Sequence, residues 1–400
     1  MQRFTRSKPW LALAAAAVLS LGVAACGGDD ESGSGSGGGD GATAVKGSGV
    51  EAGSGDRAAV AKKAGEQAAT DAGDPIKLDP KTIGIINFLG GIESSDRLKS
   101  TAEKAAEKLG YKTVVCDGKG TPTVFVTCGN SLLDQNVDAI VEIAIEPGTI
   151  QPVLDKAAKQ NVPVLQIGGG AVPNGDLSGN YGPDETKAGQ TLTDYIMKQL
   201  NGLDGNPGVI IHDFPARWAS ARTDTLHKAI KAQDKVKELA NTTTDAATLV
   251  QFTRKTVGDQ ITQYPDAKAY WFSFDTTGQV GGQVISSKYP GKLFPDRPLV
   301  ATHHADLGTL DLMRKGKIDV VSEANYDAAS WIAMDQLAEF WGRQTEISKD
   351  NQPSYPGVGD LFSYQIVTKD NLPPEGEYFP PKVDVVTYFQ SKWAKEFGAT

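Results

Sequence analysis

From residue 80 onward the chain alternates between two hydrophobic rhythms. KTIGIINF is a short, β-branched apolar run, and the SSDRLKSTAEKAAEKLG behind it places Leu98, Ala102, Ala105 and Leu109 at helical spacing. Ser94 or Ser95 offers a cap for the start of that helix, and Gly110 its end. YKTVVC, a helix near 124–135, VDAIVEIAI, a helix near 149–160 and VPVLQIG continue the series. The predicted strands start near 82, 112, 137 and 162, the spacing that βαβ units require. The second half repeats the pattern: GVIIHDF, VKELA, AKAYWFSF and PLVATHH begin near 208, 236, 267 and 298. Helices fall between and after them at about 217–232, 245–263, 278–288 and 307–315. Strands that are apolar on both faces predict parallel sheets covered by helices on each side. Two such series in succession predict an α/β protein of two similar Rossmann-like lobes. Ligands of such sheets bind beyond the carboxyl ends of the strands, hence in the cleft if those ends face each other.

The N-terminus follows a different pattern. Arg3, Arg6 and Lys8 precede an apolar run from Trp10 to Val23, which ends in VAAC at Cys26. This is the grammar of a secretory signal, and the run is shorter and richer in alanine than a membrane span of about 20 apolar residues. A cysteine directly after small residues resembles the bacterial lipobox, which implies cleavage after residue 25 and acylation of Cys26. The alternative is ordinary cleavage near Ala25. Residues 26–78 are dominated by Gly, Ser and acids, a composition that cannot bury apolar surface and predicts a flexible tether. Within it, 57–72 has the pattern of a polar helix without a sizeable apolar face, and weak order is expected there.

Composition narrows the functional classes. Of the 400 residues, 49 are acidic and 40 basic, a net charge of −9 that argues against a nucleic-acid surface. Two cysteines remain beyond Cys26. Cys116 and Cys128, close in sequence and outside the cytoplasm, suit a disulfide, and no His or further Cys stands near to suggest catalysis or metal. There is no G-x-S-x-G elbow, Walker A loop or H-E-x-x-H helix. His303 and His304 are neighbours on a predicted strand and point to opposite faces, a poor chelating pair. An enzyme, a cofactor and a metal site are therefore not expected.

The ordered set from KTIGIINF to VPVLQIGGG, then ASARTDTL, WFSFDTTG, GKIDVV and SYQIVTKDNL, resembles the type I periplasmic binding proteins, most of all their ribose/galactose-type, sugar-transporter branch. The resemblance implies two lobes joined by a three-crossing hinge that closes around a solute. On that basis the first lobe would comprise 80–179 plus 325–345, and the second 180–324 plus 346–400. It further implies a monomer that carries a small, carbohydrate-like polar solute to an ABC permease. The alternative is a receptor that signals to a membrane histidine kinase or chemoreceptor.

The resemblance also nominates site residues. Arg222 matches the arginine that holds ligand hydroxyls, and Asp275 the cleft aspartate, the alternatives being a surface charge and a helix N-cap. Glu323 stands near a hinge glutamine and Glu146 where asparagine is frequent. Ile92, Glu93, Ser94 and Ser95 replace an Asn-Pro-Phe-Phe segment, so the paired sugar-stacking aromatics are missing there. Gly168, Gly169 and Gly170 replace an expected strand-end aspartate, and Thr302, His303 and His304 replace Gly-Phe-Asp. Aromatic walls are then expected from Phe88, Trp218 and Phe274 at strand ends. Ligand contacts are thus anticipated at Phe88, Glu93, Ser94, Glu146, Trp218, Arg222, Phe274, Asp275, His304 and Glu323. Arg222→Ala is expected to abolish binding and leave the ligand-free melting temperature nearly unchanged.

Overall fold

The structure is a computed structural model that describes residues 53, 55–69, 73–171, 175, 177–244 and 246–399. The signal segment, Cys26 and most of the expected tether lie outside the described residues. Helix α1 (Gly55–Ala68) precedes a series of alternating units: β1 (Thr82–Asn87), α2 (Glu93–Lys108), β2 (Lys112–Asp117), α3 (Pro122–Asp134), β3 (Ala139–Ile143), α4 (Gln151–Gln160), β4 (Val164–Ile167) and β5 (Gly179–Tyr181). The second series is α5 (Glu185–Asn201), β6 (Gly208–Asp213), α6 (Arg217–Lys231), β7 (Lys237–Thr243), α7 (Leu249–Gln263), β8 (Ala267–Phe272), α8 (Asp275–Lys288), β9 (Leu299–His303), α9 (Leu307–Arg314) and β10 (Val320–Glu323). The chain closes with α10 (Asp327–Arg343), β11 (Gln365–Thr368) and α11 (Val385–Glu396).

Two sheets result. One has the order β2-β1-β3-β4-β5, with every neighbouring pair parallel. The other runs β11-β10-β9-β8-β6-β7 and is parallel except for β11, which pairs antiparallel with β10. The central strands are buried along their whole length, as continuous apolar runs require. On α2 the periodic residues Leu98, Ala102 and Ala105 are buried, together with Thr101, Ala106 and the polar Ser94, Ser95 and Arg97, and Gly110 ends the helix with φ +76°. Neither serine caps it. Ile92 occupies the cap position, and Asp96 folds back to accept from Gly91 N–H at 2.9 Å. Ser95 Oγ is turned to Asn87 and Ser94 Oγ to Asp275.

Two expected boundaries are corrected. The C-terminal segment does not stay with the second lobe, because β11 alone joins that sheet. Val385, Tyr388, Phe389 and Trp393 of α11 are buried in the first lobe's core, beside Trp331 and Leu337 of α10. The first lobe also buries Tyr355, Leu361 and Phe362, so the third passage between lobes comes after 362 and the chain passes back once more before 385. The second correction concerns α1, which is an ordered helix packed on α11. Its docking face is made of Ala61, Ala64 and Gly65, small residues that carry little apolar area. A Cβ at Gly65 would meet the carbonyl oxygen of Tyr388. Close backbone approach, in place of a large apolar stripe, seats this helix. Across the α10–α11 seam Lys392 Nζ meets Asp335, Glu339 and Glu396 at 2.6–2.7 Å, so this carboxylate cluster already holds a cation of the chain. Cys116 and Cys128 are joined by a disulfide between β2 and α3.

Candidate functional site

The carboxyl ends of both sheets face each other, and the loops behind β1, β3, β4, β6, β8 and β9 supply the side chains between them. An aromatic cluster forms the centre. Phe214 stacks on Trp218 with ring centroids 5.3 Å apart, and Phe274 lies 5.6 Å from Phe214. Phe88 reaches over from the first lobe to meet Phe214 edge-on at 6.4 Å. Phe88, Trp218 and Phe274, with Ser94, Ala144, Gly168, Arg222, His304 and Tyr326, line an inner cavity of about 40 Å3. Phe88, Trp218 and Phe274 therefore come together as expected; Phe214, one residue beyond β6, was missed.

Arg222 is fully buried, and each nitrogen of its guanidinium already has a protein partner. Its Nε donates to Glu185 Oε2 at 2.6 Å, one Nη to the carbonyl of Ser273 and the other to Tyr326 Oη at 2.9 Å. The guanidinium also lies 4.8 Å over the Trp218 ring. Burial raises the Glu185 carboxyl above its usual range, and Arg222 opposes that rise. Glu185 lies at the start of α5, one residue past Asp184, which caps that helix by accepting from Thr186 and Lys187 N–H.

A second arginine, unanticipated from the sequence, bridges the lobes. Arg97 on α2 donates to Asp306 at 2.9 Å and Glu323 at 3.4 Å in the second lobe, and to Asp327 at 3.0 Å at the start of α10. Tyr378, on the segment that returns the chain to the first lobe, covers its guanidinium at 4.5 Å. One turn earlier, Glu93 accepts N–H bonds from Leu307 (2.7 Å) and Gly308 (2.9 Å), the first turn of α9. A carboxylate at a helix N-terminus is favourably placed. Ser94 Oγ donates to Asp275 Oδ1 at 3.3 Å. Burial, with Asp306 adding to it, raises both Glu93 and Asp275, while burial lifts Glu323 to about 7 against the pull of Arg97. The helical phase Glu93–Arg97–Thr101 carried the signal for Arg97, but the expectation for this helix rested on its apolar set, Leu98, Ala102, Ala105 and Leu109.

Several nominated residues thus hold protein groups. Asp275 is the first helical residue of α8, next to the cap position Phe274, and both Asp275 and Glu323 are buried in the carboxyl–arginine cluster. Glu146 grips Arg217 of the second lobe through both the backbone N–H (3.0 Å) and Nε (2.8 Å). His304 adopts φ +65° and its ring lies 4.0 Å from that of Tyr326. The glycine run has steric reasons of its own. Gly168 and Gly170 have φ +73°, and a Cβ at Gly169 would collide with the side chain of Gln166. Gln166 in turn donates to Glu142 Oε1 at 2.6 Å, and burial pushes the Glu142 carboxyl up to about 8.

A profile for the periplasmic binding protein domain matches residues 83–343. The chain belongs to the periplasmic binding protein family. As a periplasmic binding protein it is a solute-binding molecule, not an enzyme. A xylitol-binding protein of Mycolicibacterium smegmatis is 30% identical over 73 residues, which are 18% of this chain. That match spans only 21% of the relative's length. A solute-binding protein of Burkholderia graminis, solved in complex with D-arabinose, superposes with a TM-score of 0.63 at 19% identity, over 76% of this chain and 99% of its own. Another from Agrobacterium vitis, with bound allitol, gives 0.63 at 18% identity over 74% and 98%. At such identities the likeness establishes the fold. Among the described residues no helix is long and apolar enough to cross a membrane.

Proposed function

We propose that this protein is an exported receptor, lipid-anchored through Cys26, that binds a carbohydrate-like solute between its lobes and delivers it to an ABC permease. The observation that carries the reading is the convergence of aromatic and polar side chains from both lobes on Arg222, between the carboxyl ends of two parallel sheets. The xylitol, arabinose and allitol of the proteins it resembles support a sugar or polyol as the class of solute. Cys26 supports the anchor: the lipobox resemblance implies a diacylglyceryl group, and two acyl chains suffice for stable retention.

A thermal-shift screen over pentoses, hexoses, polyols and their derivatives tests the receptor role. A ligand that binds only the native state raises the melting temperature by mass action. At least one class member should do so without being consumed. Silence across the whole panel would overturn the reading.

A further inference from the structure

The contact between the lobes gathers more carboxyls than cations. The first lobe contributes Glu93 from the opening turn of α2, and the second contributes Asp275 at the start of α8 and Asp306 just before α9. Glu323 ends β10 and Asp327 opens α10. Asp275, Asp306 and Asp327 are fully buried, Glu323 is 3% exposed, and Glu93 lies at the margin of the cluster. Arg97 is set among these five and bonds Asp306, Glu323 and Asp327. Arg222, which also faces Asp275, is committed to Glu185, Ser273 and Tyr326. Burial, and Arg222 after it, press His303 and His304 well below their ordinary range, so neither supplies charge near neutrality. Burial likewise keeps the Tyr326 and Tyr378 hydroxyls protonated.

Two buried oxygens indicate how the excess is accommodated. Asp275 Oδ1 accepts from Ser94 Oγ at 3.3 Å and Asp306 Oδ1 from Arg97 at 2.9 Å, whereas each Oδ2 is left without a partner. The two carboxyls lie within hydrogen-bond reach of each other. Ionised carboxylates only accept; one proton between the pair makes one of them a donor and completes both. Glu93, Ser94 and Arg97 all reach in from α2, so parting the lobes withdraws them together and admits water to the carboxyls left behind.

We propose that closure of the cleft takes up protons: the lobes meet on this cluster only when it holds them, one shared between Asp275 and Asp306, and rising pH drives the lobes apart. The coupling is independent of which solute the protein carries. In the open form, water returns the carboxyls to their ordinary range, 4.5 for a glutamate. In the closed form burial lifts Glu93 and Glu323 to about 7 and raises Asp275 and Asp306 as well. Below the ordinary range both forms hold the protons and closure does not depend on pH. Between 4.5 and about 7 the closed form alone keeps them. Closure then weakens as pH rises, by about tenfold per pH unit for each proton released. By reciprocity, a solute that binds the closed form is held more tightly in acid and let go as pH rises.

Small-angle scattering of the full, ligand-free protein from about pH 5 to about pH 8, with circular dichroism to report the fold, tests the coupling. The radius of gyration should grow as pH rises through this window. In Asp306→Asn the amide accepts from Arg97 and donates to Asp275, as the protonated acid would, so the radius should stay small at the alkaline end. Asp275→Asn, accepting from Ser94 and donating to Asp306, should act alike and gives a second reading if the first variant folds poorly. Glu396→Gln is the control. Burial lifts Glu396 to about 7 as well, but it bonds Lys392 within the α10–α11 seam of one lobe. Its removal should leave the growth with pH unchanged. A radius that is constant, or that shrinks as pH rises, overturns the proposal. Growth that persists in full in either folded Asn variant, or that disappears in Glu396→Gln, overturns it too, because the responsible group then lies elsewhere.

Discussion

At the scale of single residues, burial decides chemistry that a sequence motif leaves open. Arg222 was picked out by resemblance as a ligand group, and it does line the inner cavity. It is also the only cation within hydrogen-bond reach of buried Glu185 among the bonds described. Truncating it leaves a carboxylate stranded, which typically costs about 3–5 kcal/mol. Arg222→Ala should therefore lower the melting temperature markedly even without solute, contrary to the expectation from sequence. Scanning calorimetry of the ligand-free variant checks this, and an unshifted transition would remove Arg222 from the core network. Glu142 provides a second case. Its folded carboxyl titrates near 8 against 4.5 in the unfolded chain. Below 4.5 both states hold the proton, so nothing is gained or lost. Between 4.5 and about 8 the folded state alone keeps it, so stability falls as pH rises. Glu142→Gln should flatten the decline of melting temperature across that window. A slope equal to that of the parent would show that Glu142 ionises freely.

At the scale of elements, local pattern predicted the βα units closely. β1, β2, β6 and β8 begin at 82, 112, 208 and 267, where the apolar runs start. Near-continuous burial writes itself into β1, β6 and β8 as mostly apolar sequence, whereas the edge strand β2 is only partly buried. The failures share a cause: the elements concerned are stabilised by partners far away in the chain. Helix α1 has no apolar stripe to read because it docks through Ala and Gly onto α11, over 300 residues later. Gly65→Leu forces its backbone away from Tyr388 and should cost about 1–3 kcal/mol. Limited proteolysis should then release the segment ahead of residue 73 early. Equal protease resistance in variant and parent would mean that the helix is held by something else.

At the scale of the whole molecule, the lobes are held together by the chain's own side chains. Arg97 ties Asp306 and Glu323 to Asp327, Glu93 caps α9, and Glu146 clasps Arg217. Removing the cation at the centre leaves carboxylates of both lobes facing one another in a buried space, where like charges repel strongly. Arg97→Leu should open the cleft of the ligand-free protein. Small-angle scattering would register this as a larger radius of gyration, while circular dichroism reports an intact fold. Identical scattering from both proteins would show that the struts follow closure and do not enforce it.

The sequence by itself determined the alternation of strands and helices and the two-lobe plan, and it singled out Phe88, Trp218 and Phe274, which the fold brings to one cavity. Hydrophobic periodicity and strand-end position are local properties, written within a few residues of where they act. Only the tertiary structure decided that α11 belongs to the first lobe, that Arg97 spans the cleft, and that Glu93, Glu146 and Asp275 bind protein groups. Those outcomes depend on which distant charges and backbones meet once the lobes face each other. A carboxylate reads the same in sequence whether its partner is a solute, a helix end or an arginine from 200 residues away.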